Sequence, residues 1–171
     1  IIYGQTEKLP PSGINCIYPP NHSLMNKYVK ENAKNNDIFI SVAAISDYIP
    51  KTISGKLKKS NNRLSLELQQ SSDILSETAS EFNNLFCVGF SAESENIIKN
   101  AQAKLKNKHL DMIVANTINE SMGKNSAEIY IIDKNEVIHI PNKSKEELAS
   151  NILQHIYKLE NKKGSNHEHI N

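Results

Sequence analysis

Three short runs in this chain are dense in apolar residues: Asp37–Ala44, Phe86–Phe90 and Asp111–Ala115. A strand with one wet face alternates apolar and polar residues, whereas a strand covered on both faces has no need to. Each run therefore reads as a buried strand of a parallel sheet. The stretches between and around them carry helical spacing. His22–Asn36 sets Leu24, Met25, Tyr28, Val29 and Ala33 at that spacing, with Ser23 as a cap. Asp73–Asn83 follows Ser71 or Ser72 as a cap, and Ser94–Lys108 turns Ile97, Ile98, Ala101 and Leu105 inward. Ser144–Glu160 opens with Ser144 and Glu147, the spacing of a capping box. Strand–helix–strand repetition with short connections predicts an α/β fold, a mostly parallel sheet with helices on both faces.

The remaining segments are weaker. Ile1–Tyr3 reads as a strand stub, Glu7–Gly13 as a loop, and Ile14–Tyr18 as a short strand stopped by Pro19 and Pro20. Residues 49–71 are basic and polar before they enter the alternating stretch Leu64–Leu68, which predicts a hairpin or arm over 50–70. Glu128–Asp133 and Val137–Ile140 flank Lys134 and Asn135 as a second hairpin, and residues 161–171 read as a frayed tail after a domain of residues 1–160. The chain opens on Ile1-Ile2-Tyr3-Gly4, like a strand already under way, so the fold is expected to begin upstream of residue 1.

Composition narrows the function classes. A length of 171 residues suits one domain. A formal net charge of +1 gives no global footprint for nucleic acid or an acidic membrane. Two cysteines are too few for a disulfide framework, and no apolar run approaches a membrane span, so a soluble protein of a reducing, cytoplasmic compartment is expected. Cys87 and Cys16 both read as core residues, and the histidines lack zinc spacing.

Ligands of such sheets sit at the carboxyl ends of the strands, so the residues just after the three runs carry the functional information. Ala43, Ala44 and Ile45 are small or apolar, which allows close approach to the backbone, and Asp47 suits a ribose, a metal or a plain turn. Phe90 is either core or a stacking face for a base. Ser91, Glu93 and Ser94 read as a helix start, where capping and anion binding both account for them. Lys104 and Lys108 share a helix face, and Lys56, Lys58 and Lys59 cluster on the arm; each set is either solvated or placed for phosphates. No Walker A or Gly-x-Gly-x-x-Gly loop is present, which argues against a flavin or nicotinamide oxidoreductase. The residues alone end at an α/β domain for an anionic ligand, with a nucleotide among the candidates.

Five segments in order carry a resemblance: AAISDYIPK (Ala43–Lys51), GKLKK (Gly55–Lys59), LELQQSSDIL (Leu66–Leu75), VGFSAES (Val88–Ser94) and AKLKNKHLDMIVAN (Ala103–Asn116). Together they resemble the phosphopantothenoylcysteine synthetase family, the second half of a bifunctional coenzyme A biosynthesis protein. The resemblance covers nearly all of residues 1–160. It implies a Rossmann-like three-layer sandwich with a projecting hairpin arm, and ligation of 4′-phosphopantothenate to cysteine through an acyl-cytidylate made from CTP, with Mg²⁺. Carried over by motif, Ala43, Ala44, Ile45 and Asp47 form the nucleotide pocket, and Asp47 serves the ribose or the metal. Lys56 contacts the triphosphate or the acyl-nucleotide as the catalytic residue. Ser72, Asp73, Ile74 and Leu75 line the pocket, Phe90 packs against the nucleotide, and Lys104 and Lys108 meet the phosphates. The arm at 50–70 implies a homodimer and a flap.

The departures have consequences. Ser71 and Ser72 stand where the family has Asn-Pro, which loosens that turn while keeping the acid at Asp73. The family's Gly-Phe is not evident around Met122–Asn125, and its amino-terminal Gly-rich motif is absent, so residues 1–171 alone are expected to have little ligase activity. FMN enters only if a decarboxylase domain precedes. Base choice, CTP against ATP, has no side-chain signature here. A non-catalytic nucleotide-binding or regulatory α/β module is the alternative reading.

Overall fold

The structure, a computed structural model, describes residues 1–6, 9–55, 64–117 and 125–167, with side chains of the final helix described to residue 161. The chain divides into two compact units, Ile1–Lys30 with Ala43–Ile74, and Glu31–Val42 with Leu75–Asn171.

In the first unit, the strands expected at Ile1–Tyr3 and Ile14–Tyr18 shrink to a single parallel bridge, Ile2 to Ile17, flanked by a tilted Tyr3–Tyr18 ring pair 5.4 Å apart. Pro19 lacks the donor that would extend it, and Pro20 follows without one. Cys16 is exposed there, not core. Helix α1, His22–Ala33, is capped by Asn21, whose Oδ1 accepts the Leu24 N–H at 2.9 Å, rather than by Ser23. Strands β2 (Tyr48–Pro50) and β3 (Leu68–Gln70) pair antiparallel and form the expected hairpin. The strand is shorter than the alternation in Leu64–Leu68 suggested. The Lys51 ammonium donates to the Glu67 carboxylate at 3.3 Å across the pair's end.

The second unit holds a five-stranded sheet in the order β1-β4-β5-β6-β7. Its strands are β1 (Ile38–Ser41), β4 (Phe86–Glu93), β5 (Met112–Thr117), β6 (Ser126–Asp133) and β7 (Val137–Ser144). β1, β4 and β5 run parallel, whereas β6 and β7 are antiparallel. The sheet is thus mixed. Among the described residues β1 lies at the sheet's edge, with Ile38 and Ile40 about two-fifths exposed, and is not the strand buried on both faces that its apolar run suggested.

Period-two alternation explains the layers. Phe86, Val88, Met112, Val114, Ile129 and Ile131 face one core, closed by Leu148, Ile152 and Ile156 of α4 (Lys145–His167). Cys87, Ile113, Ala115 and Ile132 face the other, closed by Ala79 of α2 (Ile74–Glu81) and Ala101 and Leu105 of α3 (Ile97–Asn107). The result is a three-layer α/β sandwich. The capping box at α4 forms as expected: the Glu147 N–H donates to Ser144 Oγ, and the Ser144 N–H and hydroxyl donate back to Glu147 Oε2. The helical backbone then runs to His167, through the segment expected to fray.

β4 runs three residues beyond the predicted end at Phe90. Its pairing continues with Ser91, Ala92 and Glu93 opposite Ala115, Asn116 and Thr117. Ser91 and Glu93 therefore lie in the strand rather than at a helix start, and α3 begins after Asn96, which takes a left-handed φ of 52°. No helix among the described residues is long and apolar enough to cross a membrane.

Candidate functional site at the strand ends

The carboxyl end of β4 carries a partly buried polar cluster. Ser91, Glu93 and the preceding Cys87 and Gly89 share the sheet face that α3 covers. From α3, the Lys104 ammonium donates to Glu93 Oε1 at 2.6 Å and to Ser91 Oγ at 2.9 Å. The Ser91 hydroxyl also donates to Glu93 Oε1, and Asn100 Nδ2 reaches Glu93 Oε2 at 3.3 Å. Burial works to raise the Glu93 pKa, but hydrogen bonds from Lys104 and Ser91 and the charge of Lys104 outweigh it and hold the carboxyl below its ordinary range. Glu93 is thereby an anion that fixes the position of Lys104. The sequence pattern read these side chains as helix caps; the missing information was the strand's length.

Gly89 lets α2 approach the sheet. A Cβ there would lie 2.8 Å from Leu110 Cδ1 and 3.0 Å from Leu75 Cδ2. Leu75, expected to line a pocket, is partly buried and packs against the core on that face. Phe90 is 37% exposed, so it is not a core residue. Alternation turns it to the opposite face from Ser91 and Glu93, and the structure does not set it beside Lys104. Lys108 closes α3: its backbone N–H donates to the Lys104 carbonyl at 3.0 Å.

In the first unit, the segment after β1 and the segment before α2 meet. The Ser71 N–H donates to the Asp47 carbonyl at 2.9 Å, and the Ser71 hydroxyl donates to the Ser46 carbonyl at 2.6 Å. Helix α1 joins from the other side. His22 Nε2 lies 2.9 Å from the Ser72 carbonyl, an acceptor, so that nitrogen carries the ring proton. Asn26 Nδ2 donates to Ser72 Oγ at 3.1 Å. The expected caps Ser71 and Ser72 are thus engaged as ties, and Asp73 immediately precedes the helix. Ala43, Ala44, Asp47 and Asp73 are exposed, Ile45 is half-buried and Ile74 is buried. His22 and Asn26 are supports that sequence reasoning missed; they are polar residues at the start of a helix, where no spacing rule distinguishes them. Lys56 lies outside the described residues, as do Lys58, Lys59 and Met122 to Lys124.

A cavity of about 430 Å³ lies at the other end of the sheet, lined by Asn83, His109, Asp111 and Lys134 among others, and contains none of the residues singled out above.

Fold and cluster together define a three-layer α/β domain of the class that receives ligands at the carboxyl ends of its parallel strands. The chain belongs to the family described as the DNA/pantothenate metabolism flavoprotein C-terminal domain, whose model matches residues 1–159. It is 35% identical over 161 residues to the coenzyme A biosynthesis bifunctional protein CoaBC of Borreliella burgdorferi, covering 92% of this chain and 41% of that protein. It is 33% identical over 166 residues to a cysteine/cysteine sulfinic acid decarboxylase of an unknown prokaryotic organism, covering 93% of this chain and 46% of that protein. The chain thus spans less than half the length of these curated relatives. A crystal structure of the C-terminal domain of a CoaBC protein superposes with a TM-score of 0.77 at 29% identity, over 94% of this chain and 74% of that one.

Proposed function

We propose that this domain is the phosphopantothenate–cysteine ligase of coenzyme A biosynthesis, acting in the cytoplasm on CTP, 4′-phosphopantothenate and cysteine. The observation that carries the reading is the family match across residues 1–159, which contains the five ordered segments from Ala43 to Asn116.

The chemistry has two displacements. The phosphopantothenate carboxylate attacks the α-phosphorus of CTP, an O–P bond forms, and pyrophosphate leaves with its bonding electrons. The cysteine amine then attacks the acyl carbon, loses a proton and expels CMP. Such a reaction asks the protein mainly for positioning and for positive charge where oxygens gather charge. Lys104 is suited to that task. Its ammonium has three donors; Glu93 and Ser91 take two, and in this reading the third serves a phosphate. Lys108 and Lys56 add charge, and Lys56 acts on the reacting phosphate. In the first unit the loop Ala43, Ala44, Ile45 receives the nucleotide through its backbone, with Ser72, Asp73 and Ile74 lining that pocket; Phe90 and Leu75 are the nucleotide-side residues of the second unit. The exposed Asp47 carboxylate is a hard oxygen donor of the kind Mg²⁺ accepts alongside phosphates and water, and it would hold that ion or the ribose. The ion, when bound, neutralises triphosphate charge. The 50–70 arm would join two copies as a homodimer. Flavin has a place only with an attached decarboxylase domain.

The test is pyrophosphate release by the full-length protein. CTP consumption that requires both phosphopantothenate and cysteine supports the reading, and Lys56→Ala should lower turnover by at least about 10²-fold. Tight CTP binding without turnover would favour the non-catalytic module instead.

A further inference from the structure

At the opposite end of the second unit, the turn between β6 and β7 faces α4 through three metal-ligating side chains. We propose that Asp133, Glu136 and His155 form a site for a single divalent ion of the zinc class, clipping α4 to the β6–β7 turn. One donor atom from each lies within 4.8 Å of the other two. Asp133 and His155 are nine-tenths buried, with side chains only 2% and 6% exposed, and His155 Nε2 lies 2.7 Å from Asp133 Oδ2. That buried imidazole, pointed at a carboxylate from 22 residues away, separates this group from a run of exposed acids.

The outer contacts are already built. Asp133 Oδ1 accepts the backbone N–H groups of Asn135 at 2.6 Å and Glu136 at 3.1 Å, which turns Oδ2 toward His155. Such outer hydrogen bonds orient the ligands of bound metals. Zinc takes imidazole nitrogen and carboxylate oxygen at about 2.0–2.2 Å in a tetrahedral set, which places neighbouring ligand atoms roughly 3.3–3.6 Å apart. The Asp133–His155 pair, 2.7 Å apart, needs to open by roughly 0.6–0.9 Å to admit it. One nitrogen and two carboxylate oxygens suit zinc or cobalt better than magnesium or calcium. The rim already holds a cation: the Lys158 ammonium donates to Glu136 Oε1 at 2.8 Å. A metal ion would displace it, and Lys158, about half exposed, can swing into solvent. The ion binds Nε2, so the proton that this nitrogen presents to Asp133 must leave it: a neutral ring takes its one proton up at Nδ1 instead, and a protonated ring releases one to solvent.

This is not the place of a nucleotide's metal. Asp133 pairs with Met112, the first residue of β5, whereas Glu93 pairs with Thr117, its last. Roughly 16 Å of strand separates the two levels.

The experiment is calorimetric titration of the metal-free full chain with Zn²⁺, repeated with Co²⁺ followed by its visible absorption. One equivalent should bind, and Glu136→Gln, at a half-exposed position that the fold tolerates, should weaken it by about 10-fold or more. Lys158→Met should tighten it, because the competing ammonium is gone; a self-sufficient ion-pair network predicts no such gain. Absence of one-equivalent binding, or affinity unchanged in both variants, overturns the proposal.

Discussion

The close packing at Gly89 offers a sharp test of how the sheet is covered. In Gly89→Ala, the new methyl would sit 2.8 Å from Leu110 Cδ1 and 3.0 Å from Leu75 Cδ2. Carbon atoms are most comfortable at about 3.5–4.0 Å, so both contacts are repulsive. The backbone of Gly89 is not in the left-handed region, so the penalty is steric alone. Leu110 is fully buried and has nowhere to go, while the half-buried Leu75 can yield. Overpacking typically costs about 1–3 kcal/mol; with one flexible neighbour, the lower part of that range, about 1–2 kcal/mol, is expected. In a protein of this size that lowers the melting temperature by about 2–8 °C. Urea unfolding measures the loss directly. Leu110→Ala alone should cost about 2–5 kcal/mol, but in the double variant the methyl fills part of the cavity, so the sum should fall short of additive by at least about 0.5 kcal/mol. A Gly89→Ala protein as stable as the parent, or a strictly additive double variant, would refute the packing argument.

Three further outcomes follow from the same structure. Lys104→Met should raise the KM for CTP in the full-length enzyme by roughly 10- to 100-fold, the worth of a charge-assisted hydrogen bond, in steady-state pyrophosphate assays. Asp133 is held below its ordinary value of 3.8: burial opposes this, but hydrogen bonds from the Asn135 N–H, His155 and the Glu136 N–H prevail. A depressed folded-state pKa contributes stability that is present above the unfolded value and lost as pH falls through the folded one. The acid limb of urea midpoints below about pH 4 should therefore be steep, and shallower in Asp133→Asn. Ser144→Ala removes a capping hydroxyl and should cost about 1 kcal/mol by thermal unfolding, with little change in CTP binding.

The buried strands were legible because uninterrupted apolar runs have few other uses, and β4 and β5 appear where Phe86–Phe90 and Asp111–Ala115 predicted. β1 formed where expected but is not covered on both faces, because an apolar run shows that a strand forms and not which neighbours it has. The antiparallel pairing of β6 and β7 was foreseen from the Lys134-Asn135 turn, and α4 from its capping box, since both signals are local. Ile14–Tyr18 failed for the converse reason. It has strand composition, but a strand needs a partner of matching length, and Ile2–Ile17 is the one bridge it makes among the described residues.

Polar residues at a strand's end carry the hardest information to extract from sequence. Ser91 and Glu93 have the composition of a helix cap, and Lys104 and Lys108 that of a wet helix face. Nothing in their spacing says that Lys104 reaches back 11 residues to a carboxylate. The deciding fact is that β5 continues to Thr117 and supplies backbone partners as far as Glu93. That extension sets Glu93 on the α3 side, where burial makes a lone carboxylate costly and a lysine from the facing helix relieves it. The lysine is held in turn by an acid that cannot readily protonate near neutrality. An ion pair of this kind, with Lys104 still 44% exposed, contributes little to stability compared with the packing beneath Gly89. On the proposed function its value lies in orientation: it fixes an ammonium at the carboxyl end of the sheet, where the proposal places a phosphate. Glu93→Gln separates those two roles. Stability should change by less than about 1 kcal/mol, because the pair is half wet, whereas CTP affinity should fall because Lys104 loses its anchor. Equal losses in both would assign the cluster to folding alone.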